Sequence, residues 1–542
     1  MKNLHSFLLF FFLSITALSF GQGEKMIYGE AISVDSSLIE SISLPKSYTR
    51  LPKDINQFSN LTSIQLYAME NWDDIFYELS CLDSLKEIIL IDSQLESLPK
   101  SLTLLPFLTA IHIEDNAIDQ LPEWFIEFRE LEKLTLKNNG TNVVNFDLSQ
   151  LKKLRHLDLS RNKLVEISWK EENAKLERAY LENNRLESID PALFLGGGLI
   201  EVKLHSNSLT EIPIEIGLNK NLILLNLKNN LITNLPAELR SCKKLSYLNC
   251  SNNKLSDLAP IANLEQLEIL KLSANKLNSF PSCKSYSTLL GLYLDGNELT
   301  ELDKNAGRFV NLKILDLSFN QLKDISVLGS LAPLERLMLM ENKIETVYFD
   351  AINWQKLRFL SLNGNGLKSI DKNIEMATSL EVVELRDNQL TDIDFCSQWT
   401  NLYRIDLGEN ELTKFPKSLL KLDQIRKIDI GYNSIKKIPK EVFELKAIEQ
   451  LEFQDCGIAE LPAFNGNSVL KKLYLGKNDL NEFSLEQFPE LIELELSDNP
   501  IGDFSIPIEY KFEWIDLSRT KISEELKESL RSRYEKWFSC QD

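Results

Sequence analysis

Along most of this chain the apolar residues keep to a fixed frame. Leu312, Leu315, Leu317, Asn320 and Leu322 read L-x-x-L-x-L-x-x-N-x-L, and the frame recurs from about residue 38 to about residue 522. Seventeen copies hold an asparagine at the polar place, from Asn116 to Asn499, and five more carry Ser47, Met69, Ser93, Cys456 or Thr520 there. From 47 to 520 is 473 residues over 21 steps, a mean period of about 22.5. The L-x-L core predicts a short strand with two apolar side chains on one face and x on the other. One such strand cannot bury its leucines, so copies must stack into a parallel sheet over a continuous core. The asparagine falls where the strand turns inward. Its amide offers two donors and an acceptor to turn backbone that the sheet leaves unpaired, which predicts a buried amide ladder. Cys456 is a small, weakly polar substitute at that place.

Many copies continue with an apolar residue and proline: Leu51-Pro52, Leu98-Pro99, Leu121-Pro122, Ile212-Pro213, Leu235-Pro236, Phe415-Pro416, Ile438-Pro439 and Leu461-Pro462. Proline has no N–H to donate, so the return arm lies outside the sheet. In these motifs the chain resembles the leucine-rich repeat family in its 23-residue form, over residues 38–522. The resemblance implies an α/β solenoid, a curved right-handed superhelix with a concave parallel sheet of about 20–22 short strands and an irregular or short-helical convex side. About the ligand it implies only that members mostly bind other macromolecules.

The ends read differently. Residues 1–21 pair Lys2 with the apolar run from Phe7 to Phe20 and put small residues, Ser19 and Gly21, before Gln22, the pattern of a signal peptide. About 14 apolar residues fall short of the ~20 that a membrane span needs. Residues 22–37 are expected to lay a strand-like lid on the first repeat. Asn71 is placed to cap a short helix with an acidic first turn. Gly196, Gly197 and Gly198 replace bulkier residues before a strand and imply a tight turn rather than a hinge. Residues 523–542 form a C-terminal cap, with Ser523 as N-cap and Leu526, Leu530, Tyr534 and Trp537 on one helix face.

The formal charge of −20 excludes general nucleic-acid binding and disfavours adsorption to anionic membranes. Of seven cysteines, Cys250 and Cys456 occupy core positions and should be buried thiols, while Cys81, Cys242, Cys283, Cys396 and Cys540 are spread over distant repeats, so no disulfide framework is expected. His112, His156 and His205 face one side but lie two repeats apart, roughly 10 Å each, too far to share a zinc ion. The chain has no Gly-rich phosphate loop and no nucleophile elbow. No cofactor, no metal and no catalysis are expected.

Two stretches of the concave face carry candidate chemistry. The central x column becomes acidic from Glu384 onward: Glu384, Asp406, Asp429, Glu452, Tyr474, Glu495 and Asp516. Like charges about 4.8 Å apart repel, so Arg404, Lys427 and Lys472 should cross-pair with them, and the carboxylates should face a basic partner or divalent cations. Upstream, Tyr247, Ile269, Tyr293, Ile314, Phe319, Met338, Met340 and Phe359 should project as an apolar stretch fit for a protein interface. The reading is an exported, non-enzymatic module, secreted, periplasmic or on the cell surface, that recognises a protein, or a glycan, without inserting into a membrane. The alternatives are a self-associating envelope or matrix scaffold and, third, a metal-assisted hydrolase.

Overall fold

The computed structural model describes residues 24–27, 36–279, 287–303, 309–348, 353–464, 469–507, 510–534 and 538–540. The leader reading for residues 1–21, Cys283 and Trp537 lie outside them. The chain divides into two compact units, residues 1–248 and 249–542, each a stack of the predicted repeats.

In the first unit, strands of three to five residues pair in parallel from Ile39–Ser43 through Ser63–Leu66, Glu87–Ile91, Ala110–Glu114, Lys133–Lys137, His156–Asp158, Arg178–Tyr180 and Glu201–Lys203 to Leu224–Asn226. The first apolar position of each L-x-L lines up across the sheet: Ile111 faces Leu134, which faces Leu157, and all three are fully buried. Glu24–Ile27 pairs in parallel with Ile39–Ser43, the expected lid. Asn71 caps the helix Trp72–Leu79, its side chain accepting from the N–H groups of Asp73 and Asp74. The triple glycine is a close-packing device. A Cβ on Gly196 would collide with the Asn173 carbonyl, and one on Gly198 would stand 2.7 Å from the Ala174 carbonyl.

The second unit repeats the plan. Parallel pairs run from Ile269–Lys271 to Trp514–Asp516, with Leu270, Leu292, Leu315, Leu337, Leu360, Val383 and Ile405 buried in register. Each such leucine contributes about 2 kcal/mol by burial. At the C-terminal end, Ser523 accepts from the Leu526 N–H and caps the helix Glu524–Arg533. The buried face differs from the expected one: Lys527, Leu530 and Tyr534 point inward and Leu526 is only half-buried. Lys527 fits because its stem lies along the repeat while its ammonium meets Glu524 at 2.7 Å. After the helix, Phe538–Ser539 returns as one more parallel strand beside Trp514–Asp516, an addition to the expected helical cap.

The ladder works as its amide chemistry requires. Asn320 Nδ2 donates to the carbonyls of Leu294, Leu317 and Ser318, and its Oδ1 accepts from the Leu299 N–H at 3.0 Å. The substitutes are weaker: Cys456 offers only sulfur, 3.4 Å from the Ile430 carbonyl. Cys456→Asn should therefore stabilise the second unit by about 1 kcal/mol, read as a higher urea midpoint; a lower midpoint would mean that this repeat has closed around the smaller side chain.

Two regularities complete the repeat. Proline directly precedes a 3-10 turn in six return arms, at Pro99, Pro122, Pro213, Pro236, Pro416 and Pro439, with φ between −56° and −77°. Its locked φ suits that place and its missing N–H costs nothing there. The residue just before the ladder position is left-handed throughout, with φ of 50° to 59° at the non-glycine copies from Asp92 to Arg519. Asn138, Asn183, Asp387 and Gly296 adopt this readily. Phe319 and Tyr432 do not.

Candidate recognition face

In the second unit, the side chains pointing away from the core form three columns across the strands. One column runs Ile269, Gly291, Ile314, Arg336, Phe359, and the next runs Lys271, Tyr293, Asp316, Met338, Ser361. Met340 lies two residues beyond Met338 on the same side. Ile269, Tyr293, Met338, Met340 and Phe359 are all half-buried. The stretch is less uniform than expected. Gly291 leaves a gap into which Ile269 and Tyr293 lean, since a Cβ there would meet them at 3.0 and 3.2 Å. Lys271 holds its ammonium 5.1 Å from the Tyr293 ring centre, and the Arg336 guanidinium lies 4.2 Å from that of Phe359. Asp316 separates Tyr293 from Met338, and its carboxyl is raised by burial while it accepts from the Ser318 N–H. The face is thus an aromatic and methionine surface threaded with cations, the mixture favoured at protein interfaces. Tyr247 belongs to the last strand of the first unit, where it is half-buried.

Phe319 stands at the edge of this face. It is 54% exposed and occupies the left-handed turn position at φ 55°. A bulky side chain is disfavoured there, and a ring more than half exposed adds little packing in return. Tyr432 holds the same turn position at φ 59°, 43% exposed, with Arg386 and Lys477 against its ring at 5.6 and 5.9 Å.

The acidic column is in register on successive strands: Glu384 beside Asp406, Asp406 beside Asp429, Asp429 beside Glu452, Glu452 beside Tyr474, Tyr474 beside Glu495, and Glu495 beside Asp516. Much of its charge is answered from within. Arg404 meets Glu384 at 3.4 Å and Lys427 meets Glu452 at 2.5 Å, as expected of them. Lys472 instead pairs with Glu493 at 2.6 Å, outside the column. The principal cation was not expected at all. Arg386 reaches Asp429 at 3.2 Å, Asp406 at 3.9 Å and Glu409 at 2.6 Å. It lies two residues past Glu384, and Gly408 and Gly431 hold the matching places in the next two repeats. A Cβ on Gly408 would collide with the guanidinium, so the glycine is what lets Arg386 lie across the strands. Asp406 and Asp429 also accept from the N–H groups of Gly408 and Gly431 at 3.1 Å. Burial, then Glu452 and Asp406, push the Asp429 carboxyl up to about 7. Glu495, likewise raised by burial, accepts from Ser497 and Gln454.

The histidines of the first unit are spread as their spacing requires. His112 meets Glu87 at 3.0 Å, and His156 and His205 are pushed down to about 3 and about 4, chiefly by burial and then by neighbouring cations such as Lys133 and Lys203. Cys242, Cys250, Cys396 and Cys456 are buried thiols and Cys81 is an exposed one. Among the described residues no three His, Cys, Asp or Glu side chains gather so as to hold a metal ion, and no helix is long and apolar enough to cross a membrane.

A family model of leucine-rich repeats in two copies matches residues 220–263. Osteomodulin of Bos taurus is 32% identical over 161 residues, 27% of this chain and 37% of that protein. Lumican of Homo sapiens is 33% identical over 172 residues, 29% of this chain and 49% of that protein. The chain therefore spans less than half the length of either relative. Among solved structures, a leucine-rich repeat protein of Leptospira interrogans superposes with a TM-score of 0.59 at 24% identity, over 88% of this chain and all of that one. A TDR receptor gives 0.63 at 22% identity, over 90% and 85%. The Arabidopsis receptor kinase HAESA, in complex with the peptide hormone IDA and the co-receptor SERK1, gives 0.56 at 25% identity, over 86% and 87%.

Proposed function

We propose that this chain, a leucine-rich repeat protein, is an exported, non-enzymatic module that recognises a protein partner on the sheet face of residues 249–542. The observation that carries this reading is Phe319, an exposed ring held at a left-handed turn whose N–H donates to the Met340 carbonyl. Folding gains little from a ring more than half exposed, whereas aromatic anchors supply much of the binding energy of protein interfaces. The receptor kinase of similar fold, seen with a peptide hormone and a co-receptor, supports a protein rather than a glycan as partner. Glu384 borders the stretch, Glu452, Glu495 and Asp516 follow on strands beyond it, and together they would steer a partner with a basic surface. Asp406 and Asp429, held by Arg386, contribute field rather than contact.

The test is cross-linking capture from the exported fraction of the source organism, with natural protein and Phe319→Asn as parallel baits. Asparagine accepts the left-handed turn, so the variant should gain up to about 1 kcal/mol in stability while partner recovery falls at least tenfold. Equal recovery by both baits would remove the face from the account, and capture of this chain alone would favour a self-associating scaffold.

A further inference from the structure

The first unit carries a notch on a different surface, at the edge where the chain enters its strands. Two rows of side chains flank the leucine that opens each copy there. The outer row reads Lys153, Lys175, Gly198, Asn221, Lys244, and the inner row reads Arg155, Glu177, Ile200, Ile223, Ser246. Gly198 interrupts the outer row, and a cavity of about 420 Å³ opens over it. Its floor is Ala174, Ile200 and Ile223, and Ile223 is 42% exposed. Its walls are Lys175 on one side and Asn221 with Lys244 on the other, with Arg155 and Glu177 beyond. The position stays open because a Cβ on Gly198 would stand 2.7 Å from the Ala174 carbonyl, so only glycine fits there.

Charge sets the notch apart in a chain of net −20. Its one carboxylate, Glu177, is already shared by Arg155 and Arg178. Lys244 donates only to the neutral Asn221, at 2.8 Å, and Lys175 has no ion-pair partner among the described residues. Lys152 and Lys153 stand next to the notch, each already paired, with Glu171 and Glu130. From Lys175 to Lys244 is three strand spacings, roughly 14 Å. Two cationic walls at that distance over an apolar floor match an extended peptide of about four residues, with carboxylates at its ends and aliphatic side chains between. None of the nine lining residues is aromatic, so the notch has no platform on which a sugar ring would stack.

We propose that this notch binds an acidic segment of a partner protein, extended across the strands, with its carboxylates at Lys175 and Lys244 and its aliphatic side chains on Ile200 and Ile223. The site is independent of the face in the second unit. The test is fluorescence anisotropy on the full chain with a labelled hexapeptide, a Leu-Val pair between two glutamates on each side, beside the same peptide carrying lysines and a sulfated oligosaccharide. The acidic peptide should bind and the basic one should not. Lys175→Glu with Lys244→Glu should weaken binding at least tenfold, and so should Ile223→Asp; all three residues are exposed, so folding is kept. Tighter binding at low salt should accompany this. No binding of the acidic peptide, binding indifferent to these substitutions, or binding of the sulfated oligosaccharide alone would each overturn the proposal.

Discussion

Asn320→Ala lowers the stability of the second unit by about 3 kcal/mol. The residue is 7% exposed and serves four backbone groups in its own and the preceding copy of the repeat: the carbonyls of Leu294, Leu317 and Ser318 and the N–H of Leu299. Alanine leaves the Leu299 N–H buried and unmet, at about 2 kcal/mol, and takes one of two donors from each carbonyl, since Leu294 keeps Asn297, Leu317 keeps Asn342 and Ser318 keeps the Gly296 N–H. Asn320→Asp at neutral pH costs more, since a carboxylate repels the same carbonyls and is itself desolvated. The control is Asn311, exposed and bonded among the described residues to the Ser287 carbonyl alone, whose change to alanine stays within about 0.5 kcal/mol. Urea unfolding of the four proteins checks this. Equal midpoints for Asn320→Ala and Asn311→Ala would mean that the ladder is ornamental.

Arg386→Met costs about 3 kcal/mol at pH 8 and much less at pH 5. The guanidinium is the cation over Asp429 and Asp406, whose side chains are 8% and 13% exposed. Without it two carboxylates face each other and Glu452 across a buried strip. The sign of the pH dependence follows from linkage. Burial raises the Asp429 carboxyl from its ordinary value to about 7 in the folded chain. Between about 4 and that value the folded state holds a proton that the unfolded state has released, so stability falls as pH rises through this window. Removing Arg386 raises the folded value further and steepens the fall. Asp429→Asn added to Arg386→Met should flatten it. Urea midpoints at pH 5 and pH 8 decide the matter, and a pH-independent loss would show that Arg386 acts through packing alone.

The repeat was legible because one physical need, burying L-x-L on a parallel sheet, is restated at nearly every step. Misplacing one copy would turn its leucines outward. The ladder was legible for the same reason, and so was the column from Glu384 to Asp516, because period 2 within a strand and a constant step between strands fix which side chains are neighbours. Arg386 was not. Its reach across two strands depends on Gly408, where a Cβ would collide with the guanidinium, and a sequence read for charges gives no weight to glycines. The sign to look for is a cation followed by glycine at the same place in the next copies. Phe319 was read as one more apolar projection, and the left-handed turn that makes it unusual appears only when the residues before each ladder position are lined up. Lys527 was lost because its charged head hides how much of its stem is buried. Gly198 was seen as a turn, but a notch is defined by the side chains around a missing one, and those come from four other repeats as well as its own.

The central claim is that the sheet face of the second unit is where a partner sits. Hydroxyl-radical footprinting of the captured complex tests it most directly, because methionine and aromatic side chains report their own exposure. In the free protein Phe319, Met338 and Met340 should oxidise, as should Met376 and Tyr348 on the return arms, which are 60% and 59% exposed. In the complex the account predicts that Phe319, Met338 and Met340 are shielded while Met376 and Tyr348 react as before. Shielding of Met376 and Tyr348 with Phe319 and Met338 unchanged would place the partner on the return arms and contradict it.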